Sequence, residues 1–140
     1  MRILGLDIGT KRIGVAISDE KGLTAQAVEV IQRSSLKKDL QRIQTLVCEY
    51  NVEKIVVGIP LRMNGTVSSM GKEILEFIDK LKKRTQVPIE TWDERWSTKM
   101  AEKVLIEADL SRKKRASVRD KVAATFILQG YLDYLRKNLR

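Results

Sequence analysis

Residues 4–19 read LGLDIGTKRIGVAISD, and this stretch decides the fold. Leu4, Leu6 and Ile8 recur at every second position, and so do Ile13, Val15 and Ile17. A period of two marks a β-strand. The link between the runs, with Gly9, Lys11 and Arg12, is too short for a crossover, so the strands form an antiparallel hairpin. Asp7 then stands at the tip of a buried strand, beside glycine and two cations. A carboxylate in that position asks for a reason.

Working outward, residues 23–31 make a third strand after the turn Asp19-Glu20-Lys21-Gly22. Leu36, Leu40, Ile43, Val47 and Tyr50 repeat at helical spacing, with Ser34 or Ser35 as the cap. KIVVGIP at 54–60 is a continuous apolar run, which fits a parallel strand covered on both faces. Pro60 ends it. After the loop LRMNGTVSS comes a helix with Ile74, Phe77, Ile78 and Leu81 on one side. VPIETWDE at 87–94 is a fifth strand. A helix at 98–108, a basic loop and a last helix over about 118–137 complete the chain. The pattern predicts an α/β fold: a mixed five-stranded sheet in the order 3-2-1-4-5, strand 2 antiparallel, with helices on both faces. Ligands of such a sheet gather at the C-terminal ends of the first and fourth strands, where the connections diverge.

The 140 residues predict one domain, 1–140. No apolar run is long enough to span a bilayer, and no leader pattern is present, so a cytoplasmic location is expected. The one cysteine, Cys48, cannot pair within the chain and reads as a small buried helix residue rather than a nucleophile. The formal charge of +9 points to a polyanionic partner, nucleic acid first. Part of the excess lies in LSRKKRASVR at 110–119, which has no acid. There is no histidine. That excludes Ser-His and Cys-His chemistry and every histidine metal site. Catalysis would fall to carboxylates, lysine, hydroxyls or an oxygen-ligated metal.

Four carboxylates stand where they could meet. Asp7 ends the first strand, Asp93 and Glu94 end the fifth, and Asp120 opens the last helix. Asp120 shares a helix stripe with Ala123, Ala124, Ile127 and Tyr131, which turns it toward the sheet. Such a carboxylate is neutral, caps its helix or binds a cation. Singly, each residue has a plain role: a strand end, a pair with Arg95, a complement to the helix dipole. Together they would repel, unless Mg²⁺ or Mn²⁺ lay among them. These ions take carboxylate oxygens and water, and a pair of them can drive phosphodiester hydrolysis.

Three blocks resemble one known family: LGLDIGTKRIGVAISD; VGIPLRMNGTVS followed by IETWDERWST; and RDKVAATFILQGYL. They are similar to the bacterial YqgF family, also called RuvX, within the ribonuclease H-like superfamily. The blocks cover nearly the whole chain in the family's order. The resemblance implies a ribonuclease H-like fold and a metal-dependent nuclease. It places the acidic triad on Asp7, Glu94 and Asp120, with Asp7 bridging two Mg²⁺ or Mn²⁺ ions. It also implies phosphate contacts from Lys11 and Arg12, and from Arg62, Arg95, Arg112, Lys113, Lys114 and Arg115. The implied substrate is precursor 16S rRNA at its 5′ end, within ribosomal precursor particles, with branched four-way DNA as the alternative. The protein is expected to be a monomer or weak homodimer. Two positions depart from the family's habit, Trp96 and Arg62, and neither touches the triad. Ser97 and Thr98 read as a helix cap. Trp92 reads as a strand residue and Trp96 as a candidate stacking platform.

Two other readings compete. Asp-x-Gly-Thr before a hairpin also resembles the phosphate loop of sugar kinases, actin and Hsp70 ATPases, which need two such domains. A non-catalytic nucleic-acid-binding factor with a relic site is the other. It would carry an inward carboxylate cluster at a cost in stability.

Overall fold

The computed structural model describes residues 1–61, 64–93 and 112–138, with side chains for all but 112–121 and 138. Five strands form one sheet: β1 (Arg2–Ile8), β2 (Arg12–Ser18), β3 (Ala25–Gln32), β4 (Val52–Ile59) and β5 (Ile89–Asp93). Their order is β3-β2-β1-β4-β5, as expected. β2 runs antiparallel to β1 and β3, and β4 runs parallel to both β1 and β5. The helices are α1 (Leu36–Glu49), α2 (Ser69–Lys82) and α3 (Arg112–Asn138). Among the described residues no helix is long and apolar enough to cross a membrane.

Strand alternation sorts the core into two layers. Leu4, Leu6 and Ile8 of β1 join Ile13, Val15 and Ile17 of β2 and Ile55, Val57 and Ile59 of β4 on one face. There they meet Leu40, Ile43 and Leu46 of α1 and Ile74, Phe77, Ile78 and Leu81 of α2. The other face carries a smaller cluster, with Gly5 and Ala16 at its centre. Ile3, Ala16 and Val56 pack there against Ala124, Ile127, Leu128, Tyr131 and Leu132 of α3. Helices therefore cover both faces, and the bulk of the apolar volume lies on the side of α1 and α2.

The helix starts follow cap chemistry. The Ser35 hydroxyl accepts the Lys38 amide at 3.2 Å and opens α1. The Ser68 hydroxyl accepts the Gly71 amide at 3.1 Å and donates to the Pro60 carbonyl at 3.0 Å, so one side chain opens α2 and closes the loop after β4.

Three expectations need correction. β3 begins at Ala25 rather than residue 23. The Asp19 carboxylate accepts the amides of Leu23 (2.6 Å) and Thr24 (3.1 Å) and holds both in the turn. Those same bonds, with Thr24 first and Leu23 next, hold the Asp19 carboxyl below its usual range. Cys48 is exposed, because it falls off the buried stripe Leu40–Ile43–Leu46. The last helix starts at Arg112, about two turns early, so Arg112, Lys113, Lys114 and Arg115 belong to a helix and not a loop. No Gly or Pro interrupts residues 112–129, and Lys and Arg are good helix formers. The helix expected at 98–108 lies outside the described residues.

Candidate active site

β1 carries Asp7 on the face that α3 covers, because Asp7 alternates with Leu6 and Ile8 of the opposite layer. Its partner on β2 is Gly14. On the other side Leu6 pairs with Val57, so the next residues along the two strands are Asp7 and Gly58. Gly58 in turn pairs with Trp92. The half-buried carboxylate thus projects from a row in which both flanking positions lack side chains.

This face also brings α3 close. A Cβ on Gly5 would stand 2.8 Å from the Leu128 Cβ and 3.3 Å from the Ala124 carbonyl oxygen. At the far end of the helix the buried Tyr131 fixes the register. Its hydroxyl donates to Glu90 at 2.6 Å and accepts from the Lys54 ammonium at 2.9 Å. Lys54 and Glu90 themselves meet at 3.2 Å. Trp92 stands edge-on to Tyr131, 5.8 Å between ring centres. It is a packing residue of β5, as its strand position implied.

These contacts order α3 antiparallel to β1: Tyr131 lies over the start of β4, and Ala124 over Gly5 in mid-strand. Asp7 is two residues beyond Gly5, about 7 Å along the strand. Asp120 is one helical turn before Ala124, about 6 Å along the helix. Both steps lead to the same end of the sheet. The backbone of position 120 therefore reaches the level of Asp7. Ala123, Ala124, Ile127 and Tyr131 are all buried, as the stripe required. Glu94, Arg62, Arg95, Trp96, Ser97 and Thr98 lie outside the described residues, as do the side chains of Asp120 and Arg112–Arg115. Among the described residues no three acidic groups converge on a metal position.

The hairpin after Asp7 is tightly closed. The Gly9 amide donates to the Arg12 carbonyl at 2.8 Å, leaving Thr10 and Lys11 at the tip. A Cβ on Gly9 would approach that carbonyl to 2.9 Å, so the turn needs glycine. Lys11 is exposed and Arg12 half-buried. Sequence reasoning missed what holds the hairpin from the side. The Arg33 amide donates to the Lys11 carbonyl (2.9 Å) and its guanidinium to the Gly9 carbonyl (2.8 Å) and to the Asp39 carboxylate (3.1 Å). Asp39 is only 3% exposed, and its second oxygen accepts the Ser34 amide at 3.2 Å. The only sequence signal was a charged residue beside the apolar stripe of α1. The loop after β4 lies at the same end of the sheet. Leu61 bridges to Val67, and Asn64 accepts from the amide (3.1 Å) and hydroxyl (2.7 Å) of Thr66 at its tip.

Chemically, this end of the sheet offers the half-buried carboxylate of Asp7 and a pair of cations, Lys11 and Arg12, just across the hairpin turn. A family model described as RuvX, Holliday junction resolvase, matches residues 1–134. A protein of Desulforamulus reducens named "Putative pre-16S rRNA nuclease" is 58% identical over 133 residues, covering 95% of this chain and 97% of its own length. A protein of the same name from Halothermothrix orenii is 55% identical over 137 residues, 98% of both chains. Among solved structures, Thermus thermophilus RuvC in complex with a Holliday junction substrate matches with a TM-score of 0.64 at 16% identity, over 98% of this chain and 96% of that one. Fowlpox virus resolvase with Holliday junction DNA matches at 0.61 and 16%, over 96% and 99%. At such identities these two structures establish the shared fold.

Proposed function

This chain belongs to the RuvX family, and we propose that it is a metal-dependent nuclease that hydrolyses phosphodiester bonds in structured nucleic acid, with the 5′ end of precursor 16S rRNA as its substrate. The observation that carries the reading is the setting of Asp7. A half-buried carboxylate between Gly14 and Gly58, at the root of a hairpin bearing Lys11 and Arg12, suits a metal ligand beside a phosphate. A strand end that merely met solvent would have no use for the glycine row.

The donor set fits Mg²⁺ or Mn²⁺. It is oxygen only, and a chain without histidine has no nitrogen ligand of the usual kind to offer a softer metal. Asp7, Glu94 and Asp120 would hold the ion or ions, which when bound supply an activated water and stabilise the leaving oxygen. The chain's own residues do the rest. The sheet fixes the backbone of Asp7. Lys11 and Arg12 neutralise the phosphate that lies over the hairpin tip. Arg62, Arg95 and the cations Arg112, Lys113, Lys114 and Arg115 grip the flanking backbone. Such contacts attract any polyanion and leave the choice of substrate to shape. The chain would work in the cytoplasm, on precursor ribosomal particles, as a monomer or weak homodimer, with the site carried by one domain over 1–140.

The rRNA substrate follows the names of the relatives that match across nearly the whole chain. A second reading, four-way DNA as substrate, draws on the family's description and on the two fold neighbours seen with Holliday junctions. One experiment separates them. Wild type and Asp7→Asn are each given a labelled RNA spanning the 16S 5′ leader and a four-way DNA junction, with Mg²⁺, Mn²⁺ or chelator. Metal-dependent RNA cuts that vanish in Asp7→Asn support rRNA processing. Cuts confined to the junction support resolution. Salt-sensitive binding without cleavage of either would overturn the nuclease and leave a binding factor.

A further inference from the structure

We infer that Arg33 and Asp39 are positioning residues for the phosphate-binding hairpin, acting through its backbone from outside the site; the inference rests on the nuclease reading above. Arg33 makes three hydrogen bonds in three directions. Its amide takes the Lys11 carbonyl, one guanidinium nitrogen takes the Gly9 carbonyl, and another takes Asp39. The two carbonyls flank Thr10, so one residue grips both sides of the tip that presents Lys11. Together with the Gly9–Arg12 bond, these contacts fix the chain from the end of β1 to the start of β2.

The guanidinium is itself held in place. Asp39 takes its Nε at 3.1 Å, and the Phe77 ring of α2 lies under it at 5.3 Å. Arg33 also lines the cleft between α1 and α2 with Ile8, Leu36 and Ile74. The device therefore links the opposite helix layer to the hairpin. Stability alone is a poor reason for it, since an apolar pair in place of a buried ion pair is often no less stable. Geometry is a good reason. A shift of about 1 Å in a positioning group can cost about a hundredfold in rate. Lys cannot replace Arg here, because an ammonium is one point and the guanidinium spans two acceptors.

The test uses the full chain as wild type, Arg33→Lys, Asp39→Asn, Lys11→Ala and the double variant Arg33→Lys/Lys11→Ala. Arg33→Lys keeps a cation against Asp39, so it spares the fold. Each is measured well below its melting temperature. Three readouts are taken: Gly9 amide exchange, the dissociation constant for a labelled RNA hairpin in chelator, and kcat and KM with Mg²⁺ or Mn²⁺. Positioning predicts faster Gly9 exchange and about tenfold weaker RNA binding in Arg33→Lys, matching Lys11→Ala. The double variant should then lose little more than either single one. A merely structural role would lower the melting temperature and leave binding intact at low temperature, which overturns the proposal. So would losses that multiply in the double variant. If wild type neither binds nor cuts RNA, the nuclease reading fails by itself. Gly9 exchange still decides the positioning, and an unchanged rate in Arg33→Lys overturns it.

Discussion

Gly5 of β1 and Leu128 of α3 meet so closely that no side chain fits between them: a Cβ on Gly5 would lie 2.8 Å from the Leu128 Cβ. This approach sets the distance between helix and sheet at mid-strand. Gly5→Ala must push α3 outward or strain β1. Overpacking of this kind costs about 1–3 kcal/mol, read as a fall of several degrees in Tm. Leu128→Ala should not rescue it, because the colliding atom is the Cβ that alanine keeps. If Gly5→Ala melts like wild type, the helix is not seated as described.

The fold was legible for specific reasons. The hairpin around Lys11 left no room for a crossover, which made β2 antiparallel. The run KIVVGIP fitted a parallel strand covered on both sides, and handedness then set the order. Asp7 was legible because a carboxylate at a strand tip is out of place in a core. Arg33 and Asp39 were not, since a partnership between the end of β3 and the buried side of α1 exists only once the sheet is folded. The early start of α3 was hidden for another reason. Arg112–Arg115 have no apolar period, so the pattern read as a loop, although Lys and Arg propagate a helix well. Leu23 carried a strand-like side chain, but the Asp19 carboxylate claims its amide.

Asp7→Asn keeps the shape of the side chain and removes its charge. The metal-dependent rate should fall by more than the roughly 10–100-fold that loss of an outer partner to a metal ligand costs. Binding of RNA in chelator should persist or tighten, because one negative charge beside the phosphate is gone. Labelled RNA in a cleavage and a binding assay, run side by side, reads both. Equal loss in the two assays would mean that Asp7 serves the fold.

The basic opening of α3 makes a prediction in salt. Neutralising Arg112, Lys113, Lys114 and Arg115 to Gln should weaken RNA binding and flatten its salt dependence. Each phosphate that is no longer neutralised takes about 0.7 off the slope of log K against log salt for a single strand, and about 0.9 for a duplex. Titrations at several salt concentrations then show how many phosphates the four cations engage. An unchanged slope would show that they are solvated and touch no phosphate.

The tether at the other end of α3 should titrate. The Tyr131 hydroxyl, then Lys54, hold the Glu90 carboxyl below its ordinary 4.5. The bond to Tyr131, then Glu90, hold the Lys54 ammonium above its ordinary 10.5. Burial raises the Tyr131 phenol above its ordinary 10.0, so it stays a donor at about pH 9. The signs follow from linkage. The stability from Glu90 is complete above its ordinary value and is lost as pH falls through its depressed one. The stability from Lys54 is complete below its ordinary value and is lost as pH rises through its raised one. Tyr131→Phe removes the shared hydroxyl and should cost about 1 kcal/mol at neutral pH. The gap in Tm between wild type and Tyr131→Phe should be level from about pH 5 to 9 and narrow at both ends. The absence of a gap at any pH would mean that Tyr131 anchors α3 by packing on Trp92 alone, since Phe keeps the ring, and a gap that stays constant down to about pH 3 would mean that the charge on Glu90 adds nothing to the tether.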